Sequence, residues 1–182
     1  MAGLFWRFCI YSFLGYLLER LYAAATRSPR QVRKGFLLLP LCPVYGLGVL
    51  AVEALPPVLT GNFFSLALWG GLTATAVEYA VHWAYDVGLG VKFWDYTGVW
   101  GNVNGRISVP FSLAWGVLLA ALYPWLQPRL AEAAASLAPV WTWAAVPVAA
   151  VDGAVSLALL WRYHDPEVLT LSAWPKHEKK AA

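Results

Sequence analysis

Apolar residues in this chain do not recur at the spacing of a single helix face. They run almost unbroken for about twenty residues at a time, the length a helix needs to cross roughly 30 Å of hydrocarbon. Five such runs stand out, at 3–25, 44–59, 63–87, 109–126 and 140–161. They predict an all-α fold, a polytopic transmembrane helix bundle that occupies 1–163 as one domain, followed by a polar cytoplasmic tail at 164–182. The second run begins at Phe36, but Pro40 and Pro43 remove backbone donors and clash with preceding carbonyls. Its first part is therefore expected to be a broken or re-entrant segment, with regular helix only after Pro43. The Ala-rich stretch 131–135 reads as an outer loop. The first run carries Arg7, Glu19 and Arg20, passes twenty residues and lacks a small-residue cleavage site, so it is expected to be a retained helix rather than a signal peptide.

Composition strengthens the case for a bilayer. Of 182 residues, 60% are hydrophobic and 13% charged, and the mean hydropathy is +0.57. That leaves too little polar surface to clothe a water-soluble globule, and little chain for a soluble catalytic module. The net charge of +3 comes from Lys and Arg flanking the apolar runs, which suits anionic lipid headgroups and gives no nucleic-acid signature. Cys9 and Cys42 fall at what should be opposite faces, which argues against a disulfide.

Lys and Arg also set an orientation. Arg27, Arg30, Arg33 and Lys34 fill the first loop, Lys92 and Arg106 the third, and Lys176, Lys179 and Lys180 the tail, with Arg20 and Arg162 at adjoining helix ends. The other side keeps only Arg7 and Arg129. Cytoplasmic loops hold the excess of such residues, so the N-terminus is expected outside the cell membrane and the C-terminus in the cytoplasm. Trp6, Trp125, Trp141 and Trp143 then mark one interface, and Trp83, Trp94, Trp100 and Trp161 the other, as aromatic anchors.

Against this background the acids Glu19, Glu53, Glu78, Asp86 and Asp152 are out of place. An ionised acid near a helix centre costs roughly 2.5–3.5 kcal/mol on insertion scales, against about 0.3–0.6 gained per Leu or Val. Such groups must face protein or water. Glu19, Glu78 and Asp152 fall in the cytoplasmic halves of their helices, and one shared inner cavity is the simplest arrangement. Glu53 lies nearer the outer face. Glu78, His82 and Asp86 are each four residues apart, forming a ladder on one helix face. That ladder is either a proton relay, cation site or headgroup contact, or a structural hydrogen-bond seam. With only three histidines, two of them in the tail, no metal site is expected. Asp152, beside Gly153 and one turn before Ser156, serves either the cavity or close helix packing.

The segment KFWDYTGVWGNVNGRIS, from Lys92 to Ser108, is too decorated for a mere connector. Gly101, Gly105 and the asparagines permit positive φ, and Arg106 can present a fork to phosphate or carboxylate. Trp94, Asp95 and Tyr96 would lie at headgroup depth, and Asp95 and Arg106 are also candidates to pair with each other. The candidate substrate-binding groups are thus Glu19, Glu78, His82, Asp95, Asn104, Arg106 and Asp152.

The motifs SFLGYLLER, GFLLLPLCPVYGLG, VEYA, FWDY and NGRISVPFSLAWG follow one another from about Tyr11 to about Trp115. In this order they resemble the family described as Putative ABC-transporter type IV (CmpB-like). The resemblance implies a small multi-pass protein of the bacterial inner membrane, named as a permease. Besides Glu19, Glu78, Asp95, Asn104 and Arg106, it rests on Pro40, Cys42, Pro43, Tyr45, Gly46, Trp94, Tyr96 and Gly105. Leu39 departs from it, standing before Pro40 where the family favours glycine.

No G-x-x-x-x-G-K-[ST] run is present in the chain, so any ATP-derived energy would come from a separate ATPase subunit. Five spans are few for a complete pathway, which implies a homo-oligomer or a partner permease. The leading expectation is a permease-like transport component without a cofactor, in contact with membrane lipids. The alternatives are an enzyme of lipid-linked substrates, with Glu78 or Asp95 as general base, and a non-catalytic scaffold.

Overall fold

The computed structural model describes residues 2–26, 37–137 and 139–169. The basic positions Arg27, Arg30, Arg33 and Lys34, and the tail beyond 169, lie outside the described residues. Helices dominate: α1 Ala2–Ala25, α2 Pro43–Glu53, α3 Pro57–Thr60, α4 Phe63–Ser65, α5 Gly71–Leu89, α6 Val109–Ser136 and α7 Pro139–Tyr163. A π turn, Leu66–Gly70, joins α4 to α5, and a 3-10 turn, Pro166–Leu169, follows α7. Between α5 and α6 a small antiparallel hairpin pairs β1 (Asn102–Val103) with β2 (Ile107–Ser108). The architecture is all-helical as expected, with this hairpin added.

Of the five expected spans, two of the described helices are each long and apolar enough to cross a membrane: α6, with 28 residues, and α7, with 25. Their most apolar stretches are only 11% and 17% buried. Apolar side chains therefore cover the outside of the bundle, the reverse of a core helix in a water-soluble protein. α1 has 24 residues but is diluted by Arg7, Glu19 and Arg20. α2 has 11 residues, enough at about 1.5 Å per residue for roughly half a span. Its expected extension to 59 is cut by Pro56 and Pro57. The third run is helical from Phe63 to Leu89, interrupted by the π turn. The Ala-rich stretch expected as a loop is instead part of α6, which continues through Pro124 and Pro128 to Ser136. Ala, Leu and Glu are strong enough helix formers to sustain that last part.

The helices alternate in direction. One pole, called near, gathers the N-terminus of α1, the end of α2 and the α6–α7 junction, where Trp6 Nε1 donates to Thr142 Oγ1 at 2.9 Å. The far pole gathers the ends of α1, α5 and α7 with the hairpin. Small residues bring the helices close at mid-height: a Cβ on Gly71 would lie 2.9 Å from the Gly116 Cα, so α5 and α6 touch backbone to backbone. The start of the expected polar tail is packed, because Val168 and Leu169 are apolar and join Leu89, Val91 and Leu160 in a buried cluster. A ring nitrogen of His164 lies 2.6 Å from the Leu89 carbonyl oxygen.

Candidate functional site

The broken segment expected at Pro40 is present, and its unpaired backbone explains Asp152. From Leu37 to Cys42 the chain is non-helical. The N–H of Leu38 donates to Asp152 Oδ1 at 3.1 Å and to Ser156 Oγ at 3.2 Å, and the N–H of Leu39 donates to Asp152 Oδ1 at 3.3 Å. Leu41 N–H turns back to Leu39 O, and Cys42 N–H reaches Ser12 O at 2.9 Å on α1. Pro43 then opens α2 at a position where its missing donor costs nothing. Backbone groups left outside a helix in an apolar setting need partners, and α7 supplies them through Asp152 and Ser156. Asp152 is therefore a cap for this segment and does not line the cavity shared by Glu19 and Glu78.

That cavity lies among α1, α2, α5 and α6 and measures about 410 Å³. Its walls are mainly apolar, with leucines of α1 and α6 that include Leu14, Leu18, Leu118 and Leu122, closed by Val49 and Ala74. The polar groups concentrate on one side. Tyr45 OH donates to Glu19 Oε1 at 2.7 Å; Tyr96 OH donates to Glu78 Oε1 at 2.9 Å and Trp115 Nε1 to Glu78 Oε2 at 3.2 Å. The Tyr45 and Trp115 rings meet edge to face with centroids 5.1 Å apart. Two acids 59 positions apart in sequence thus sit on either side of one aromatic pair, each accepting from an aromatic donor. Gly15 and Gly46 make the α1–α2 approach that places Tyr45, since a Cβ on Gly15 would overlap the Tyr45 ring.

The ladder on α5 divides among three environments. Glu78 faces the cavity. His82, 1% exposed, has its Nε2 2.9 Å from the Trp94 carbonyl oxygen and its ring edge-on to the Trp94 indole. Asp86 accepts from Arg106 Nη2 at 2.9 Å. Asn104 Nδ2 and Arg106 Nη1 converge on the Tyr79 hydroxyl at 3.1 and 3.2 Å. The ladder therefore bolts the segment from Lys92 to Ser108 onto the end of α5.

Within that segment Trp94 Nε1 donates to Arg106 O at 2.9 Å, and Tyr96 N–H to Gly105 O at 2.8 Å. Asp95 does not pair with Arg106. Its Oδ1 accepts from the Thr97 N–H at 2.8 Å and the Thr97 hydroxyl at 2.6 Å, an Asx-type turn. These two bonds hold the Asp95 carboxyl below the usual range. Gly105 is required here: its φ is +69°, and a Cβ would lie 2.6 Å from Asp95 Oδ1. The fork of Arg106 is taken up by Asp86 and Tyr79. Trp94 and Phe93 reach the cavity wall, so this segment forms part of its floor. Among the described residues no group of three or more His, Cys, Asp or Glu side chains converges to hold a metal.

Sequence reasoning missed Trp115, which joins the two acids, and undervalued the near pole. There Arg7 Nε lies 3.5 Å from Glu53 Oε2, and Tyr11 OH donates to Gln127 Oε1 at 3.0 Å. Spacing carries part of that signal, because Arg7 precedes Tyr11 by one helical turn.

Taken together, outward-facing apolar helices, an inward-facing set of acids and a broken helix beside a cavity define an all-α bundle, two of whose described helices are long and apolar enough to cross a membrane. The family model described as Putative ABC-transporter type IV matches residues 6–157, and the chain belongs to that family. No curated protein and no solved structure matches the chain.

Proposed function

We propose that the chain is a five-span membrane subunit of a transport system and that the cavity among α1, α2, α5 and α6 receives an amphipathic substrate. In this reading α1, α2 with its non-helical lead-in, the helix from Phe63 to Leu89, α6 and α7 each cross or nearly cross the bilayer. The near pole faces outward and the far pole faces the cytoplasm. The observation that carries it is the inverted distribution of polarity. Glu19, Glu78, His82 and Asp152 are buried, whereas Phe64, Trp143 and Trp161 are 83%, 80% and 65% exposed. Water would penalise that surface and hydrocarbon would not.

The cavity supports the substrate class. Leu17 and Leu21 line it and are also exposed on the bundle surface, so its mouth opens sideways between α1 and α6. An apolar tail would lie along the leucines, and a polar head would meet the Glu19–Tyr45 and Glu78–Trp115 side. Non-helical backbone beside buried polar groups is a recurring way to build such paths in membrane proteins. Energy would come from a separate ATPase subunit, because the chain has no phosphate-cradling loop.

Purification from native membranes in mild detergent tests both halves of the reading. A nucleotide-binding subunit is expected to co-purify, and Glu78→Gln is expected to retain it while losing substrate-stimulated ATP hydrolysis. A chain recovered alone under conditions that preserve other transporter complexes would count against the transport role.

A further inference from the structure

The cavity does not stop at mid-height. It reaches Tyr11 on α1, Val49 on α2 and Tyr123 and Leu126 on α6. One helical turn beyond Tyr11 toward the near pole lies Arg7, one turn beyond Val49 lies Glu53, and one turn beyond Tyr123 lies Gln127. Arg7 and Glu53 thus lie one turn above the wall of the cavity, and Gln127 directly follows its wall residue Leu126 on α6. Those side chains meet. Arg7 and Glu53 lie 3.5 Å apart, Tyr11 and Gln127 are hydrogen-bonded at 3.0 Å, and the Gln127 amide approaches the Glu53 carboxylate.

This cluster is closed but not tightly bonded. Arg7 Nε and Glu53 Oε1 are both buried, and neither has a hydrogen-bond partner. At 3.5 Å the pair is held more by Coulomb attraction than by aligned hydrogen bonds. A part-buried pair with unsatisfied atoms gains little over its separated, hydrated form. Such a contact can open at small cost once water reaches it.

Building on the transport reading, we propose that Arg7, Glu53 and Gln127 form the outward gate of the cavity, closed in this structure. Separation of α1 from α2 at this level would connect the cavity to the outer face without moving the acids at its other end.

Cys42 provides the probe, because it is buried and lines the cavity below the gate. The full-length protein carrying Cys9→Ser retains Cys42 as its sole cysteine. A membrane-impermeant maleimide is applied in turn to each face of proteoliposomes of known orientation. From the face bearing the N-terminus, Arg7→Ala is expected to label Cys42 at least tenfold faster than the parent, and the exchanged pair Arg7→Glu with Glu53→Arg to restore slow labelling. Should Arg7→Ala fail to insert, Glu53→Gln, which keeps the side-chain shape, takes its place. Labelling from that face at one rate in parent and variants, or an exchanged pair as fast as the single change, would overturn the gate and leave the cavity reading standing. No labelling from either face in any variant, while the denatured protein labels fully, would instead overturn the cavity as a path.

Discussion

At the far pole, buried acids are bound by neutral donors whose positions are fixed by packing. Glu78 accepts from Tyr96 and Trp115, Glu19 from Tyr45, and Asp152 from two backbone N–H groups. At the near pole the part-buried Glu53 faces an arginine at 3.5 Å and leaves one carboxylate oxygen without a hydrogen bond. Hydrogen bonds to buried groups are directional and expensive to break. An imperfect ion pair is neither, so the far pole is built to hold its shape and the near pole to exchange one arrangement for another.

The largest effect that would break this comparison is expected at Glu78. Glu78→Leu removes the acceptor of the Tyr96 hydroxyl and Trp115 N–H hydrogen bonds, a loss of about 1–3 kcal/mol. It should still insert, because removing an intramembrane charge favours insertion. Thermal unfolding in detergent should fall steeply for Glu78→Leu and much less for Glu78→Gln, which keeps an acceptor. Equal stability of the two would show that the acid is not held as described.

Asp152 comes next. Asp152→Ala leaves the Leu39 N–H without its acceptor and the Leu38 N–H with Ser156 Oγ alone, again at about 1–3 kcal/mol. Asp152→Asn retains one carbonyl oxygen and should lose less than half as much. Protease susceptibility near Pro40 should rise in the alanine variant alone. If it does not, the non-helical segment is supported by something other than α7.

A smaller loss is expected from Gly105→Ala, at about 1–2 kcal/mol for a side chain forced into the left-handed region, with added overlap on Asp95. Its signature is local: faster hydrogen exchange at Tyr96 and Thr97, with the cavity acids unaffected.

The smallest effect concerns pH. The Asp95 carboxyl titrates below its unfolded value because Thr97 hydrogen-bonds to the ionised form. Its contribution is therefore fully present above that unfolded value, about 4, and is lost as pH falls through the folded value. Asp95 is exposed, so only a shallow acid limb in stability is expected, absent in Asp95→Asn. An acid limb undiminished by that change would assign it to another carboxylate.

How much of this was legible along the chain differs from residue to residue. Pro40 and Pro43 announced the broken segment, since a missing donor is a local fact. Glu78 announced itself as a charge in an apolar run. The grouping of Asp152 with Glu19 and Glu78 was wrong, because depth along a helix gives height but not the direction a side chain faces. The pairing of Asp95 with Arg106 failed for a related reason: Thr97, two residues away, satisfies Asp95 before any partner across the hairpin can. Trp115 stood in a family-like motif but gave no chemical warning, being one of 11 tryptophans with equal claim to an interfacial role.

The sequence by itself determined the helical class, the places where apolar runs begin and break, and the set of acids that hydrocarbon would not tolerate. Those follow from local terms: transfer free energy, helix propensity and the missing proline donor. Tertiary structure decided which donor answers which acid, from the bond linking Leu38 to Asp152 across 114 positions to the Arg7–Glu53 contact at the opposite pole. Such pairings depend on helix rotation and on glycine-permitted close approach, and no single stretch of chain encodes either.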